Sequence, residues 1–243
     1  METFQPGITI NKYSPFVKEI RKRIFYSIII FVIAALAGFF FYEEIIKFLI
    51  NFLSLKGVNI VFTSPFQFIN LAISCGIASG LVVVFPILIF QTLTFLKPAL
   101  KDAEYKMIVR PLPLSIILFL SGFSFGFFIM KWQIEIFLKQ ATSLGIGNIL
   151  DISNLLSTVL MVSALMGVAF QFPIIIFLMM RIGIIKHHNL TKQRLWVYLG
   201  SFMFAVLLPA DSILVDVLLS LPLIILFELT LILNRFFERR KSA

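Results

Sequence analysis

The sequence predicts an all-α integral membrane protein with six transmembrane helices and with both chain ends on the inner side of the membrane. Three observations carry this prediction. Apolar residues make up 60% of the 243 residues, charged residues only 14%, and the mean hydropathy is +1.02, which a water-soluble domain of this size does not reach. The apolar residues collect in six runs that are nearly free of charge. Basic residues lie almost entirely in alternate connections between those runs.

Each apolar run is predicted to cross the bilayer once as a helix. The run at 57–96 is too long for a single crossing, and its beginning contains Gly, Asn, Thr, Ser and Pro, so an outer loop is predicted up to about Pro65. No linker or internal repeat divides the sequence, and residues 1–243 are predicted to form a single membrane domain. The approximate helices are 24–42, 66–96, 111–130, 153–180, 195–209 and 212–234.

The first helix follows a basic segment and resembles a cleavable signal peptide as far as Ala37. Its apolar run continues to Tyr42, which would hold a cleavage site inside the bilayer, so we expect this helix to remain uncleaved. The next segment, 43–55, has apolar residues at helical spacing with Lys47 and Asn51 between them. A short helix on the outer surface is predicted there.

Helices five and six are short for a membrane. The run at 195–210 spans roughly 24 Å at the helical rise, against a hydrocarbon core of about 30 Å. The hairpin tip at 208–211 then lies below the outer surface, unless the bilayer thins locally to meet it. The alternative is a short helix that simply tilts less, and the sequence leaves both possibilities open.

The Lys and Arg residues set the orientation of these helices. All but four of the 21 lie in the N-terminal segment, the second and fourth connections and the C-terminus, which alternate crossing places on one side. The positive-inside rule makes that side cytoplasmic, or the equivalent face of an organelle. The net charge of +9 follows from this placement, so no nucleic-acid partner is predicted. The four outer basic residues are Lys47, Lys56, Lys131 and Lys139.

Residues suited to covalent or metal chemistry are few. Cys75 is the only cysteine. His187 and His188 follow each other in the sequence, but their loop has no convincing further metal ligands. A Gly-rich phosphate loop of the Walker type does not occur in the sequence, which argues against direct use of ATP. The sequence therefore predicts a protein that is not an enzyme and that has no cofactor or metal site.

Polar residues inside the apolar runs are candidates for function, because a carboxylate in hydrocarbon usually faces a bundle interior, a partner or a water-filled cavity. Helix six contains Asp216 and Glu228, and helix four contains Gln171. For Glu228 the other interpretation is a helix-end carboxylate bonded within the bundle or to an inner cation. For Gln171 an interhelical hydrogen bond is the default interpretation.

Two carboxylates on the inner side stand in basic surroundings. Glu19 lies in the segment before helix one, and Glu104 lies in the second connection. Without further information, each is best explained by a local ion pair at i,i+3 or i,i+4, which contributes little at an exposed site.

Short motifs change this interpretation. They follow one another along the chain as Glu19-Ile20-Arg21, Pro86 and Gln91, Phe95-Leu96-x-Pro98-Ala99-Leu100 with Glu104, Phe170-Gln171-Phe172-Pro173, Leu208-Pro209-Ala210-Asp211 and Phe227-Glu228. In this order, on six helices with both ends inside, they resemble the TatC family, the core of the twin-arginine protein translocase. The sequence departs from the family pattern at four positions, namely Phe16, Trp132, Leu208 and Val215.

The resemblance implies a receptor for signal peptides that bear two adjacent arginines. Glu19 and Glu104 would each hold one guanidinium group, and Arg21 would orient Glu19 or bind a lipid phosphate. Phe95 and Pro98 would shape the pocket.

The resemblance also implies partners within the membrane. These are single-helix subunits of the TatA and TatB type, in a complex that is oligomeric, contacts membrane lipids and moves folded proteins at the expense of the proton-motive force. The residues expected at a partner helix or as intramembrane polar groups are Gln91, Gln171, Asp211 and Glu228.

A different function class stays open at this point: a small-solute transporter or channel, with Gln171, Asp216 and Glu228 along its pathway. The source is open as well. The abundance of Phe, Ile and Lys agrees with the cytoplasmic membrane of a bacterium, and also with a mitochondrial inner or plastid thylakoid membrane.

Overall fold

A computed structural model describes residues 8–53, 59–61, 64, 66–96, 112–145, 149–181, 187–210 and 212–241. The predicted all-α membrane fold is confirmed. Within the described residues, five segments are long and apolar enough to cross a bilayer, and a shorter apolar helix accompanies them at Arg194–Val206. The five are Lys18–Phe40, Gln67–Thr92, Pro113–Ser143, Ile152–Met180 and Ile213–Arg235.

The helices and strands follow the order that the apolar runs predict, with additions. The helices are α1 (Ile8–Phe40), α2 (Tyr42–Phe52), α3 (Gln67–Leu96), α4 (Leu112–Ser143), α5 (Ile152–Ala169), α6 (Phe172–Arg181), α7 (His187–Lys192), α8 (Arg194–Val206) and α9 (Ile213–Lys241). The strands are β1 (Asn59–Val61) and β2 (Ile149–Asp151).

Several helices extend beyond the apolar runs, because hydropathy marks the membrane boundary and not the end of a helix. Helix α1 begins at Ile8 instead of near residue 24, and α4 continues to Ser143 instead of ending near residue 130. Both extensions contain Lys and Glu, which are good helix formers outside the membrane. At the C-terminus, α9 likewise continues to Lys241. The prediction that helix six is short was therefore wrong, because α9 has 29 residues and its apolar part, Ile213–Arg235, is long enough to cross a bilayer.

The fourth crossing is broken, contrary to the single helix predicted at 153–180. Helix α5 ends at Ala169 and α6 begins at Phe172. Pro173 explains the break, because it has no N–H to donate to the carbonyl of Ala169 and its ring pushes that carbonyl away. The carbonyl of Gln171 then starts the new helix by accepting from the N–H groups of Ile174 and Ile175, at 3.0 and 3.1 Å.

The core lies around α5. In the crossing that α5 and α6 form, 67% of an 18-residue apolar stretch is buried inside the protein, whereas 11% of such a stretch is buried in α1. Helix α5 is therefore central, whereas α1 packs mainly on α3 and presents its other faces to lipid. The side chains of Leu71, Leu156 and Met166 are completely buried between α3, α4 and α5.

Close helix contacts depend on glycine. A methyl group on Gly76 of α3 would lie 2.7 Å from the carbonyl oxygen of Ala35 on α1, and one on Gly122 of α4 would lie 2.6 Å from the carbonyl oxygen of Met166 on α5. Such small residues let helix backbones approach closely, and in a bilayer this packing replaces the hydrophobic driving force.

The predicted surface helix at 43–55 is confirmed as α2. Leu49 and Leu53 are buried against the bundle, while Glu43, Glu44 and Lys47 are exposed. Lys131 of α4 completes the C-terminal end of α2: its Nζ atom donates to the carbonyl oxygen of Phe52 at 3.0 Å and lies 4.8 Å from the centre of the Phe52 ring. A cation at the C-terminal end of a helix interacts favourably with the partial negative charge of the helix dipole.

A small outer clasp joins two connections that are far apart in sequence. Strands β1 and β2 pair in parallel, with Asn59 opposite Ile149. Beside them, the Gln67 amide donates to Asp151 Oδ2 at 2.6 Å, and the Ser153 hydroxyl donates to the Gln67 carbonyl at 2.8 Å. Asp151 also caps α5, because its Oδ1 atom accepts from the N–H groups of Ser153 and Asn154.

Candidate functional site

A polar network joins the inner part of α3 to the inner end of the membrane-spanning part of α1, which begins at Lys18. Arg23 donates to Glu19 Oε1 from both Nε, at 3.2 Å, and Nη2, at 2.6 Å, and its Nη1 atom donates to the backbone carbonyl of Gln91 at 2.5 Å. One turn further along α1, the buried Ser27 hydroxyl donates to Gln91 Oε1 at 2.9 Å. Four residues thus hold one end of the first helix against the third.

Glu19 is only partly engaged in this network. Both donations from Arg23 go to Oε1, and among the described residues Oε2 accepts no hydrogen bond. The side chain is 43% exposed at the inner end of the bundle, whereas that of Arg23 is 25% exposed. The Glu19 carboxylate therefore keeps one oxygen without a hydrogen bond among the described residues, on a half-exposed side chain in a segment that is otherwise basic.

Glu19 pairs with Arg23 and not with Arg21. Of the two roles implied for Arg21, binding to a lipid phosphate stays a prediction. The other role, orienting Glu19, is not seen, because the Arg21 side chain is exposed and makes no ion pair with Glu19 within the described part of the chain. The reason is helical geometry: residues two apart lie on different faces of a helix, whereas residues four apart are neighbours. The Glu19–Arg23 pair is a local i,i+4 ion pair of the kind that the sequence favoured before the motifs were considered.

The other residues of the predicted inner site are described in part or not at all. Phe95 lies in the last turn of α3, one turn beyond Gln91, and its side chain is outside the described set. Pro98 and Glu104 lie outside the described residues.

Gln171 forms the predicted interhelical hydrogen bond, at the break between α5 and α6. Its Oε1 atom accepts from the Ser115 hydroxyl at 2.7 Å, and its Nε2 atom donates to the Ser115 carbonyl at 3.0 Å. The side chain is completely buried. Both ends of the amide therefore bind one residue of α4, which connects the break in the fourth crossing to that helix.

Glu228 follows its second interpretation, a carboxylate bonded within the bundle and to an inner cation. Its Oε1 atom accepts from the Tyr198 hydroxyl, and its Oε2 atom lies 3.5 Å from Arg194 Nη2, with both partners on α8. Asp216 is buried, and its Oδ1 atom has no hydrogen-bond partner among the described residues. Asp211 lies outside the described residues.

Comparison with known proteins connects this geometry to a family. A family model described as "Sec-independent protein translocase protein (TatC)" matches residues 15–222. The protein TatCy of Bacillus subtilis is 29% identical over 231 residues, which is 92% of this chain and 89% of that protein. TatC of Haemophilus influenzae is 30% identical over 226 residues, covering 90% of this chain and 87% of its own length.

The crystal structure of the twin arginine translocase receptor TatC in DDM has the same fold. It superposes with a TM-score of 0.78 at 26% identity and covers 89% of this chain and 98% of its own. The chain belongs to the TatC family. It is accordingly a component of the Sec-independent protein translocase and an integral, multi-pass membrane protein.

Membership of the TatC family decides between the two functions that the sequence left open, in favour of protein translocation over solute transport. The relatives named above are bacterial. Among the polar residues expected in this TatC protein, Gln91, Gln171 and Glu228 all have their side chains engaged with a neighbouring helix.

The described residues of this TatC protein line two concave regions, among others. The outer cavity, of about 700 Å³, lies between the outer end of α4, the start of α5 and the hairpin tip, and its lining includes Gln133, Gln140, Asn154, Thr158, Pro209 and Ser212. The side groove, of about 390 Å³, lies between the break in the fourth crossing and α8, and its lining includes Phe172, Pro173, Trp196, Val197, Gly200 and Phe204.

Proposed function

We propose that this TatC protein is the receptor for twin-arginine signal peptides and that Glu19 accepts one of the two guanidinium groups at the inner end of α1. The observation that supports this proposal is the bonding of the Glu19 carboxylate. Arg23 connects this carboxylate to α3, and its Oε2 atom accepts no hydrogen bond among the described residues. The Glu19 side chain is 43% exposed.

The chemistry of this oxygen suits an arginine ligand. A guanidinium group presents N–H donors in a planar fork that matches a carboxylate, and charge-assisted hydrogen bonds of this kind are about twice as strong as neutral ones. The surrounding Lys18, Arg21 and Lys22 are exposed and repel every cation to a similar extent, so a ligand needs directed hydrogen bonds to overcome this repulsion.

The second arginine requires a second acceptor, and we assign this role to Glu104. Glu104 follows α3 in the chain, and Gln91, one turn before the last turn of α3, already contacts Arg23 and Ser27. Phe95 and Pro98, between Gln91 and Glu104 in sequence, would form the apolar wall of the site.

The receptor proposal is tested by photocrosslinking in native-like membranes. A photoreactive residue replaces Ile20, which is 42% exposed beside Glu19, so that the carboxylate itself stays intact. A signal peptide with Arg-Arg should crosslink strongly and its Lys-Lys variant weakly. Glu19→Gln should abolish the Arg-Arg crosslink, whereas Glu43→Gln, which removes an exposed carboxylate on the outer helix α2, should leave it unchanged. An Arg-Arg crosslink that survives Glu19→Gln at full strength would disprove the assignment.

We also propose a partner site for single-helix subunits of the TatA and TatB type at the side groove. The groove is almost entirely apolar and opens beside α8, the one short crossing helix among the described residues. A methyl group on Gly200 would meet no atom within 4 Å, so the wall of the groove is open there. In this arrangement the complex is an oligomer that moves folded proteins with the proton-motive force.

The partner site has its own test. A photoreactive residue at Gly200 should crosslink to the single transmembrane helix of such a subunit, while the same residue at Ile33, which is 63% exposed on the lipid face of α1, should not. Equal crosslinking from both positions would mean that the groove has no preference for the partner.

A further inference from the structure

The Arg23 side chain combines two contacts: an ion pair within α1 and a hydrogen bond to the backbone of α3. One edge of its guanidinium group, Nε and Nη2, faces Glu19 Oε1 on the same helix, and the remaining nitrogen, Nη1, donates to the Gln91 carbonyl on α3. The side chain is 25% exposed, so these contacts are partly shielded from water.

This bridge requires the shape of arginine. A planar fork with fixed N–H directions can serve a carboxylate and a backbone carbonyl on different helices at once, whereas the ammonium of lysine is a compact point charge with one nitrogen. Lysine at position 23 would keep the charge but could reach only one of the two acceptors in this geometry.

We propose that Arg23 is a positioning residue that sets the preference of Glu19 for arginine over lysine. This inference rests on the proposed receptor function. Arg23 binds Oε1 of Glu19 while it is itself bonded to α3, and it leaves Oε2 without a hydrogen bond among the described residues, so that an incoming guanidinium group can bind this second oxygen.

The electrostatic effect of Arg23 acts in the same direction. Because Arg23 already compensates part of the Glu19 charge, a further cation gains little from Coulomb attraction alone. The affinity of the site then depends on directed hydrogen bonds to a fixed oxygen. A guanidinium group makes such bonds better than an ammonium group does. Without Arg23, Glu19 would be a freely rotating, fully charged carboxylate that attracts either cation.

The test measures equilibrium affinities of the full-length protein, in lipid nanodiscs, for fluorescent signal peptides with Arg-Arg and with Lys-Lys. Arg23→Gln should lower the ratio of the two affinities by about tenfold, as expected for one misplaced charge-assisted hydrogen bond. Arg23→Lys should lower it to a similar extent, because the charge is kept and the bridge to Gln91 is lost. A purely structural role would weaken both peptides in parallel and leave the ratio unchanged.

The matched control is Lys22→Gln. It removes the same charge from the neighbouring position, where Lys22 lies 5.9 Å from the centre of the Tyr26 ring instead of contacting Glu19. The affinity ratio should stay at the wild-type value in this variant. A wild-type ratio in Arg23→Lys, or an equal loss in Lys22→Gln, would overturn the proposal.

Glu19→Gln separates this inference from the proposal beneath it. If Glu19→Gln leaves Arg-Arg binding intact, the receptor assignment itself fails. If Glu19→Gln removes binding while both Arg23 variants keep the wild-type ratio, the receptor assignment stands and only the role of Arg23 is wrong.

Discussion

At Gln171, one buried amide satisfies both of its hydrogen-bonding ends on a single residue, Ser115. The contact lies where the backbone of the fourth crossing leaves helical geometry, between Ala169 and Phe172. In an apolar interior, a donor or acceptor that loses its partner keeps the full cost of its desolvation. Removal of the Gln171 amide would therefore be costly mainly because the Ser115 hydroxyl and carbonyl on α4 would lose their partner.

Replacing Gln171 by Leu should lower the free energy of unfolding by about 1–3 kcal/mol, because the Ser115 hydroxyl and carbonyl would lose their partner in the core. Ser115→Ala should have a smaller effect, and the double variant should show a coupling energy clearly different from zero. Thermal unfolding in one detergent measures all three. The control is Gln133→Leu, since Gln133 Oε1 has no partner among the described residues. A loss in Gln133→Leu as large as in Gln171→Leu would show that the Ser115 contact is not the cause.

At the residue scale the sequence identified the positions better than their partners. A bond within the bundle was the default interpretation for Gln171 and one of two interpretations for Glu228, and both residues form such a bond. For Glu19, the four-residue spacing to Arg23 predicted the observed ion pair, whereas the motif that contains Arg21 does not show which side chains share a helix face. Ser115 could not have been selected, since its bond to Gln171 depends on how α4 packs against the break.

At the scale of elements, α2 depends on a cation supplied by another helix. Lys131→Met should remove the donor to the Phe52 carbonyl and the contact with the Phe52 ring, at a cost of about 1 kcal/mol to the helix end. Hydrogen exchange of the α2 amides should become faster, with little change in α5. Lys139→Met removes the same charge further along the outer part of α4 and serves as the control. Equal effects of the two variants would point to the net charge of the outer surface instead.

The packing of α1 on α3 allows a second test with two glycines. Gly76→Ala should separate the helices and destabilise the protein by about 1–3 kcal/mol, because the new methyl group would lie 2.7 Å from the Ala35 carbonyl oxygen. Gly200→Ala makes the same chemical change in open space and should be neutral or slightly stabilising, since alanine has the higher helix propensity. Unfolding temperatures in detergent decide this. If Gly76→Ala is as stable as Gly200→Ala, the close contact has no energetic importance.

Elements that follow from local pattern were predicted, and elements that follow from tertiary contact were not. Hydropathy located the crossings and the surface helix α2, because both are local properties of the chain. The pairing of β1 with β2 joins three-residue segments, too short to give a signal of their own. The break before α6 did have a signal in Pro173, but proline is tolerated inside other crossings of this chain, at Pro86 and Pro222.

At the scale of the whole molecule, α8 is the element that does not fit a uniform bilayer. Its 13 residues span about 20 Å, against a hydrocarbon core of about 30 Å. Trp196, which is 74% exposed near the inner end of the helix, is an aromatic residue of the kind that anchors at the inner interface. If Trp196 fixes the inner end of α8 at the inner interface, the bilayer has to become thinner beside α8 so that its outer surface meets the hairpin tip.

This deformation predicts a difference between two cysteine variants in a Cys75→Ala background. Leu207 and Leu36 are exposed, and each lies the same number of residues after an inner-end arginine, Arg194 or Arg23. Leu207→Cys should react with a membrane-impermeant thiol reagent added from the outside, because the bilayer is thin beside α8. Leu36→Cys, on a full-length crossing helix, should not react. Two unreactive positions would mean that the bilayer keeps its thickness around the tip.

The outer clasp also determines the order in which this protein can be completed during its synthesis. Gln67 and Asp151 are 84 residues apart, and β1 precedes its partner strand by a similar distance. Chains grow from the N-terminus, so α1 and α3 can already be packed while β1 is still without a neighbour. The clasp closes only after α4 has been inserted and the start of α5 has reached the outer side. A nascent chain that stops at the end of α4 would therefore have an assembled inner end and an unfinished outer one.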